Sequence, residues 1–365
     1  MTRHYLDHAS TTPPRPQVID TVTEWLGRVA DPGRVHTEGL EVRAAIESAR
    51  DSVAALVGAR NREVVFCSGA TEAVNAAVWG AAQRQDGPIV VSAVEHSCVR
   101  EAAERTGRCL VLGVDSDGCV DLGALDDALT HQPALVCVQW ANHEVGTVQP
   151  IAEVAARCQE AETLLLVDAA MAAGHIPVTF DGIDLLAITA HKIGGPPGIG
   201  ALVVRRGLRL PPLLLGGAQE RARRAGLENV PAIMGFSAAA ELAEVPATAE
   251  TAFTSRLRTV IGGLDGVKAF GPDDPAKRVS HIACFGFDDV DAEPVLVGLD
   301  RSGIAAHSGS SCSSELIEPS PVLAAMGAPA DRSLRLSVGW TTTDADIAAV
   351  EQALPKVLAG LRALR

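Results

Sequence analysis

The sequence predicts an α/β fold built on a mainly parallel sheet with helices on both faces. From about Glu63 onward, short β-branched runs alternate with stretches that have the apolar period of amphipathic helices. This alternation is typical of parallel sheets, whose strands are joined by helical crossovers. The chain of 365 residues also exceeds the size at which one hydrophobic core stops growing, so we expect a second, smaller unit.

The predicted strands and helices alternate along the first half of the chain. Strand and helix pairs cover 63–67 and 71–84, 88–94 and 98–106, and 134–140 and 151–162, followed by strands at 163–170 and 185–192. The next β-branched run, 198–206, follows a Gly/Pro-rich segment. We expect it to be an antiparallel edge strand or a hairpin return.

The last third of the chain has its own pattern of elements. A long helix is predicted from Pro246 to Leu264, followed by strands at 280–287 and 333–339 and by a closing helix. The predicted division is an N-terminal segment, 1–15, that packs near the active site, a large domain, 16–240, and a smaller C-terminal α+β domain, 241–365.

The composition and the net charge limit the kinds of partner that the protein is expected to bind. Hydrophobic residues make up 47% of the chain and charged residues 21%, so a packed core is expected. The formal net charge of −14 repels a phosphate backbone, and we expect no direct binding to nucleic acid. The N-terminus has no basic region followed by an apolar run, and no stretch is long enough to cross a bilayer. We therefore expect a cytoplasmic protein without membrane contact.

The eight cysteines lie singly, without a C-x-x-C pair. This spacing favours neither a disulfide framework nor a zinc site, and we expect no bound metal. Cys312 differs in its surroundings, because it lies in the serine- and glycine-rich stretch "SGSSCSS". Such a stretch is typical of a mobile, accessible loop.

The motif "SGATEAVN", 68–75, follows a strand and opens a helix. Gly69 permits a tight turn, and the free N–H groups of Ala70 and Thr71 could hold a phosphate with the Thr71 hydroxyl. A plain helix cap with a carboxylate in the first turn explains the same residues.

Two further strands end in ionisable residues. Asp168 ends "LLLVDAA", at the edge where parallel sheets bind ligands, although a turn aspartate would also fit. In "ITAHKIGGPPGIG" a buried strand leads to His191 and Lys192. A lysine next to apolar sequence has its charged form disfavoured, which suits an imine-forming amine; an exposed strand-end lysine is the alternative.

A phosphate-binding turn, an aspartate and a lysine are together what pyridoxal phosphate needs, because the carboxylate keeps the pyridine nitrogen protonated and the amine holds the aldehyde. With these motifs, the chain resembles a cysteine desulfurase of the class V aminotransferase group, among the fold type I pyridoxal phosphate enzymes. The matching motifs occur in order along nearly the whole chain: "YLDHASTTP", "SGATEAVN", "VEHSCV", "NHEVGTVQP", "VDAA", "HKIGGPPGIGAL", "ENVPAIMGF", "SGSSCSSELIEPSPVL" and "LRLSVG".

The resemblance implies a seven-stranded, mainly parallel sheet and a set of cofactor contacts. Ala70 and Thr71 would contact the cofactor phosphate, with Thr189 and His191 nearby. Asp168 would pair with the ring nitrogen, and Lys192 would carry the cofactor as an imine. These two assignments use the same residues that the motifs already indicated.

The resemblance also assigns the substrate-handling residues. His96 would stack on the pyridine ring and could move protons, although a lone histidine after a strand is more often structural. Arg335 would bind the substrate carboxylate through two parallel hydrogen bonds, with a structural ion pair as the alternative. Cys312 would be the persulfide-forming nucleophile, in the long-loop type of the family marked by "LIEPS". A chance surface cysteine is the alternative.

Three positions depart from the family pattern. His143 replaces the usual asparagine beside the cofactor's phenolic oxygen, and Met171 replaces a glutamine whose donor a thioether cannot supply. Leu227 replaces a threonine that contacts the phosphate in the neighbouring subunit. Loss of one such hydrogen bond to a charged group costs about 1.5–3 kcal/mol, so an altered but working site is expected.

The resemblance therefore implies conversion of L-cysteine to L-alanine, with a persulfide on Cys312 and sulfur transfer to an acceptor protein, as in iron–sulfur cluster assembly. A homodimer with interfacial sites is also implied. Two alternatives stay open from the sequence: another class V reaction, such as a C–S lyase or an epimerase, and an inactive scaffold for sulfur transfer.

Overall fold

A seven-stranded sheet forms the centre of the large part of the molecule. The computed structural model describes residues 3–29, 31–243, 245, 248–308 and 319–364. The strand order is β2-β8-β7-β6-β5-β3-β4. The strands are β2 (Val64–Cys67), β3 (Ile89–Ser92), β4 (Cys109–Leu112), β5 (Leu135–Gln139), β6 (Leu165–Asp168), β7 (Leu185–Thr189) and β8 (Gly200–Val204). The strands from β7 to β4 are all parallel, which confirms the predicted fold class.

The structure corrects two details of the predicted sheet. β8 is antiparallel, as expected, but it lies between β7 and β2 rather than at an edge. A further strand, β4, and the helix that follows it between residues 122 and 129 were not predicted. β4 is a four-residue edge strand of mixed burial, although all of its residues are apolar.

Helices cover both faces of the sheet because each strand sends alternate side chains to opposite sides. Val64 and Phe66 face one apolar core and Val65 and Cys67 face the other. The helices around this sheet are α1 (Pro16–Leu26), α2 (Thr37–Leu56), α3 (Ala70–Arg84), α4 (Ser97–Glu104), α5 (Leu122–Leu129), α6 (Ile151–Glu160), the short left-handed segment α7 (Gln219–Ala222) and α8 (Val230–Glu241).

A second, smaller sheet has the order β12-β10-β9 and is antiparallel. Near the N-terminus, β1 pairs in parallel with β11, which ties the start of the chain to this region. The elements are β1 (His4–Tyr5), α9 (Thr248–Gly262), β9 (Val267–Phe270), β10 (Ile282–Phe287), α10 (Ala292–Arg301), β11 (Ile304–Ala305), α11 (Pro321–Ala325), β12 (Ser333–Ser337) and α12 (Asp344–Arg362). The exact domain boundaries stay a prediction.

Within the described part of the chain, no helix is long and apolar enough to cross a membrane. The apolar helix faces are instead packed against the two sheets.

The β2–α3 turn packs directly on β8, and this contact requires glycine at position 200. A Cβ atom there would lie 2.5 Å from the Ile188 carbonyl oxygen and 2.7 Å from the Gly69 Cα. We expect Gly200→Ala to lower the free energy of unfolding by about 1–3 kcal/mol, because backbone atoms must move to admit the methyl group. Urea unfolding measures the change. Gly360→Ala, in α12, is the matched control, since nothing lies within 4 Å of its Cβ position. Equal effects of the two substitutions would contradict the prediction.

Candidate active site

A cavity of about 440 Å³ lies at the carboxyl ends of the parallel strands. Every predicted site residue that the structure describes lines this cavity. These residues are Ala70, Thr71, His96, His143, Asp168, Met171, Thr189, His191, Lys192 and Arg335. Cys312 lies outside the described residues. The fold therefore brings residues from six separate motifs into one concave site, while the individual roles of these residues stay predictions.

One end of the cavity is formed by the start of α3. The helix begins at Ala70 directly after Gly69, and the first intrahelical bond at this end runs from the Ala73 N–H to the Gly69 carbonyl. The preceding N–H groups in the first turn, including those of Ala70 and Thr71, are therefore available to an anion, which the helix dipole also favours. Thr189 lies close by, because its hydroxyl would be 3.9 Å from a Cβ on Gly69.

His191 lies on the same wall of the cavity and is held by the N-terminal segment. Its Nδ1 is 3.2 Å from the Thr11 hydroxyl. Burial and, to a smaller extent, the positive charge of Lys192 lower the pKa of His191 to about 4. His191 is therefore neutral at physiological pH and can contribute a hydrogen bond without adding a charge.

Asp168 and Lys192 reach the cavity from neighbouring strands. Asp168 is the last residue of β6 and Lys192 lies in the turn after β7, so both leave the sheet at the same edge. The Asp168 Oδ1 accepts a hydrogen bond of 2.9 Å from the Ala170 N–H, which leaves Oδ2 for a ligand. Burial raises the pKa of Asp168, while the Ala170 N–H and the nearby His96 and Lys192 act against this rise.

The Lys192 amine is directed by the backbone of the N-terminal segment. Its Nζ donates to the carbonyl oxygens of Ala9 and Ser10, the latter at 3.0 Å. Ala9 and Ser10 also line the cavity. The amine is thus held at the cavity wall by neutral acceptors, with no carboxylate bound to it among these contacts.

His96 and His143 form an edge-to-face pair with ring centroids 5.2 Å apart. The His96 Nδ1 accepts a hydrogen bond of 3.1 Å from the Cys98 N–H at the start of α4, which places its own hydrogen on Nε2. Burial lowers the pKa of His143 well below its usual range, and the charges of His96, Arg335 and Lys192 add to this effect. His143 is therefore neutral. Its Nδ1 is buried and has no hydrogen-bond partner in the described protein.

Arg335 lies in β12 and is 4% exposed. It donates from Nη1 to the His143 carbonyl at 2.8 Å and from Nη2 to the Asp7 carboxylate at 2.7 Å and the Ser10 hydroxyl at 2.8 Å. The ion pair that the sequence left open as an alternative is therefore present. A substrate carboxylate would have to share the guanidinium with Asp7 or displace it.

Met171 and Leu227, which depart from the family pattern, lie in different surroundings. Met171 lines the cavity and is 5% exposed, so a thioether lies where the family pattern has the hydrogen-bond donor of a glutamine. Leu227 is 60% exposed and does not line the cavity. Its predicted position beside a neighbouring subunit is consistent with an exposed apolar side chain but stays a prediction.

Sequence reasoning missed two charged residues of the cavity, Glu95 and Arg100. Glu95 is 1% exposed, and its Oε1 accepts a hydrogen bond of 2.7 Å from the Gln139 N–H, while Oε2 has no hydrogen-bond partner among the described residues. Arg100 lies four residues after His96 on α4, so helical spacing could have placed it on the same face. For Glu95, the signal was an acidic residue directly between a buried strand and His96.

Comparisons with known proteins agree with this geometry. Residues 4–350 match the family model described as "Aminotransferase class-V". A cysteine desulfurase from Nostoc sp. (strain PCC 7120) is 41% identical, with 99% of this chain and 94% of that protein covered. The solved structure of a NifS-like protein from Rickettsia africae has a TM-score of 0.90 at 28% identity and covers 98% of this chain and 99% of its own. Another, described as "SspA in complex with cysteine", has a TM-score of 0.81 at 28% identity, with 92% and 98% covered.

Burial of Glu95 predicts a pH-dependent effect on stability. Burial raises the pKa of Glu95 well above its usual range, partly opposed by the Gln139 N–H. Because the folded protein holds this proton more tightly than the unfolded chain, the contribution of Glu95 to stability falls as pH rises above the unfolded pKa of about 4.3. Glu95→Gln does not titrate. We therefore expect its stability relative to the wild type to increase with pH, by at most about 1.4 kcal/mol per unit.

Urea unfolding of the cofactor-free proteins at pH 5, 6, 7 and 8 measures this difference. Glu101→Gln, at an exposed position on the following helix α4, is the control and should show a much smaller dependence on pH. If the difference in unfolding free energy between Glu95→Gln and the wild type stays constant over this range, Glu95 is already ionised in the folded protein.

Proposed function

Because this chain belongs to the class-V aminotransferase family and is a pyridoxal phosphate-dependent cysteine desulfurase, we propose that the cavity described above is its active site. Lys192 and His96 handle protons there, Arg335 binds the substrate carboxylate, and Cys312 receives the sulfur. The observation that carries this proposal is the convergence of Asp168, Lys192 and the start of α3 on one cavity.

The residues present fit pyridoxal phosphate. The first turn of α3 offers free N–H groups to the phosphate, and Asp168 has one carboxylate oxygen left for the ring nitrogen. Lys192 supplies the amine that carries the aldehyde carbon. When bound, the cofactor supplies an electron-accepting ring that stabilises negative charge on the substrate Cα. The neutral His191 adds a hydrogen bond at the phosphate end without a competing charge.

Lys192 and His96 are placed to move protons at the substrate. With cofactor and L-cysteine bound, the free Lys192 amine would take the proton from the substrate Cα. The Ala9 and Ser10 carbonyl oxygens, which accept from Nζ, keep this amine directed along one wall. The His96 Nε2 carries a hydrogen, because its Nδ1 accepts from the Cys98 N–H, so this side chain can donate a hydrogen bond to a group bound in the cavity.

Arg335 orients the substrate and Cys312 accepts the sulfur. The buried Arg335 Nε has no hydrogen-bond partner in the part of the chain that the structure describes, and Nη2 is bound to Asp7, so an arriving carboxylate completes or exchanges these contacts. The Cys312 thiolate forms a bond to the substrate sulfur as the carbon–sulfur bond breaks. A persulfide is left on Cys312, and the electron pair of the broken bond stays with the substrate carbon skeleton. Cβ then takes one proton and Cα takes back another, so the product is alanine.

The departures at His143 and Met171 alter the surroundings of the phenolic oxygen. The buried, neutral His143 can still donate from a ring nitrogen, but Met171 cannot. We propose that one donor is retained in place of two. Cofactor affinity is then lower than in relatives with both donors, without loss of the reaction.

Sulfur leaves the enzyme by transfer to an acceptor, and we propose that the acceptor is a protein that reaches Cys312 in the cytoplasm. We also propose a homodimer. Support comes from exposed apolar side chains near α7: Leu215 is 84% exposed and Leu227 is 60% exposed. The division into a large domain, 16–240, and a small domain, 241–365, belongs to the same proposal, since Arg335 reaches the cavity from the smaller sheet.

Incubation with L-cysteine tests the assignment of Cys312. We expect alanine release and a persulfide mass shift on the peptide that contains Cys312. Cys312→Ser should lower alanine release at least tenfold and remove the mass shift, because no thiolate remains to take the sulfur. Cys119→Ser, at a half-buried cysteine, is the matched control and should keep full activity.

The same assay separates the alternatives. A lyase that expels sulfide directly would keep its activity in Cys312→Ser, and an epimerase would release D-cysteine rather than alanine. A scaffold without cofactor would lack the visible absorption that Lys192→Ala is expected to abolish.

A further inference from the structure

A second cavity, of about 180 Å³, shares Lys192 with the active site. His8, His175 and Glu250 also line it. His175 lies in the segment after β6. Glu250 lies in α9, a helix that packs against the smaller sheet. The mechanism proposed above uses none of these three side chains. Of the three, His175 contacts the backbone of the reactive lysine directly, and Glu250 contacts His175.

His175 links Lys192 to Glu250 through its two ring nitrogens. Its Nε2 is 3.2 Å from the Lys192 carbonyl oxygen, and its Nδ1 is 3.2 Å from the Glu250 Oε2. A carbonyl oxygen can only accept, so Nε2 carries a hydrogen and donates it. The Ser280 hydroxyl also donates to the Glu250 Oε2, at 3.0 Å. A proton must therefore lie between Nδ1 and Glu250, since two lone pairs at this distance would repel each other.

The His281 ring packs against one face of the His175 ring. Their rings are stacked with centroids 3.7 Å apart and an angle of 17° between the planes. His281 is 1% exposed, and neither ring nitrogen has a hydrogen-bond partner in the described protein. His281 therefore contacts His175 through the face of its ring. The stacked ring restricts His175 to the plane in which Nε2 meets the Lys192 carbonyl.

The stacking also argues against a metal ion shared by these residues. Ligand atoms of His175, Glu250 and His281 lie within 4.8 Å of one another, which is close enough to consider one. An imidazole binds an ion in the plane of its ring, at about 2.0–2.1 Å for zinc. Two nearly parallel rings 3.7 Å apart cannot both direct a lone pair at one ion. A proton between His175 and Glu250 fits the geometry without moving either ring.

We infer that His175 is a positioning residue for Lys192, held in place by Glu250 and His281 from the region of the smaller sheet. Its Nε2–H fixes the carbonyl of Lys192 and thereby the direction in which the lysine side chain leaves the backbone. The inference rests on the proposed role of Lys192 as the cofactor-binding amine. It also connects that amine to the region of the molecule that supplies Arg335.

Two substitutions of nearly equal size separate the contacts of the two nitrogens. In His175→Gln the amide nitrogen takes the position of Nε2 and can still donate to the Lys192 carbonyl. In His175→Asn the shorter amide reaches only the position of Nδ1. We expect His175→Asn and His175→Ala to slow, about tenfold, the development of visible absorption when pyridoxal phosphate is added to the cofactor-free protein. His175→Gln should stay within about twofold of the wild type.

Steady-state kinetics with L-cysteine give a second measurement. We expect kcat to fall about tenfold in His175→Asn while KM changes less than about twofold, since substrate contacts are not altered. Glu250→Ala should lower kcat in the same direction. Glu250→Gln should not, because its amide can donate to a neutral Nδ1. His131→Ala, at an exposed histidine, is the control.

The outcomes distinguish the inference from its premise. If the wild type develops no visible absorption with added cofactor, the proposed function fails. If the wild type does so and the Gln, Asn and Ala variants at position 175 have equal rates, the positioning role is wrong. A fall in thermal stability alone, with unchanged rates, would likewise leave His175 as a structural residue.

Discussion

The site depends on two adjacent parallel strands that end at the same edge of one sheet. β6 and β7 are hydrogen-bonded in register, with Asp168 opposite Ala187, so the ends of both strands are fixed relative to each other. Asp168 then meets the cavity directly and Lys192 follows within one short turn. A carboxylate and an amine that must face one cofactor ring are therefore positioned by sheet hydrogen bonds, which leave less freedom than a loop would.

The N-terminal segment completes the site by contacting both of its halves. The carbonyl oxygens of Ala9 and Ser10 accept from the Lys192 amine, and the Asp7 carboxylate pairs with Arg335. β1 of the same segment pairs with β11 beside the smaller sheet. The lysine and the arginine are thus coupled through a few residues of backbone, and a movement of either half changes the contacts of the other.

The histidines of the cavity contribute hydrogen bonds more than charge. Burial and neighbouring cations lower the pKa of both His143 and His191, which keeps them neutral. Lys192 and Arg335 supply positive charge, and Asp168 supplies negative charge at the end of the strand next to the one that leads to Lys192. This distribution suits a ligand with a phosphate, a carboxylate and a ring nitrogen that is kept protonated.

The sequence by itself determined the fold class, the family resemblance and the members of the site that belong to local motifs. Strand ends, helix starts and the order of Asp168 and Lys192 depend on short-range patterns, so they could be read from neighbouring residues. Only the tertiary structure decided that β8 lies inside the sheet, that Arg335 pairs with Asp7, and that His175 joins Lys192 to Glu250. These contacts join residues far apart in sequence, and no local period or spacing encodes which distant side chain fills a buried position. The sequence predicts an accessible loop around Cys312, and this residue lies outside the described part of the chain.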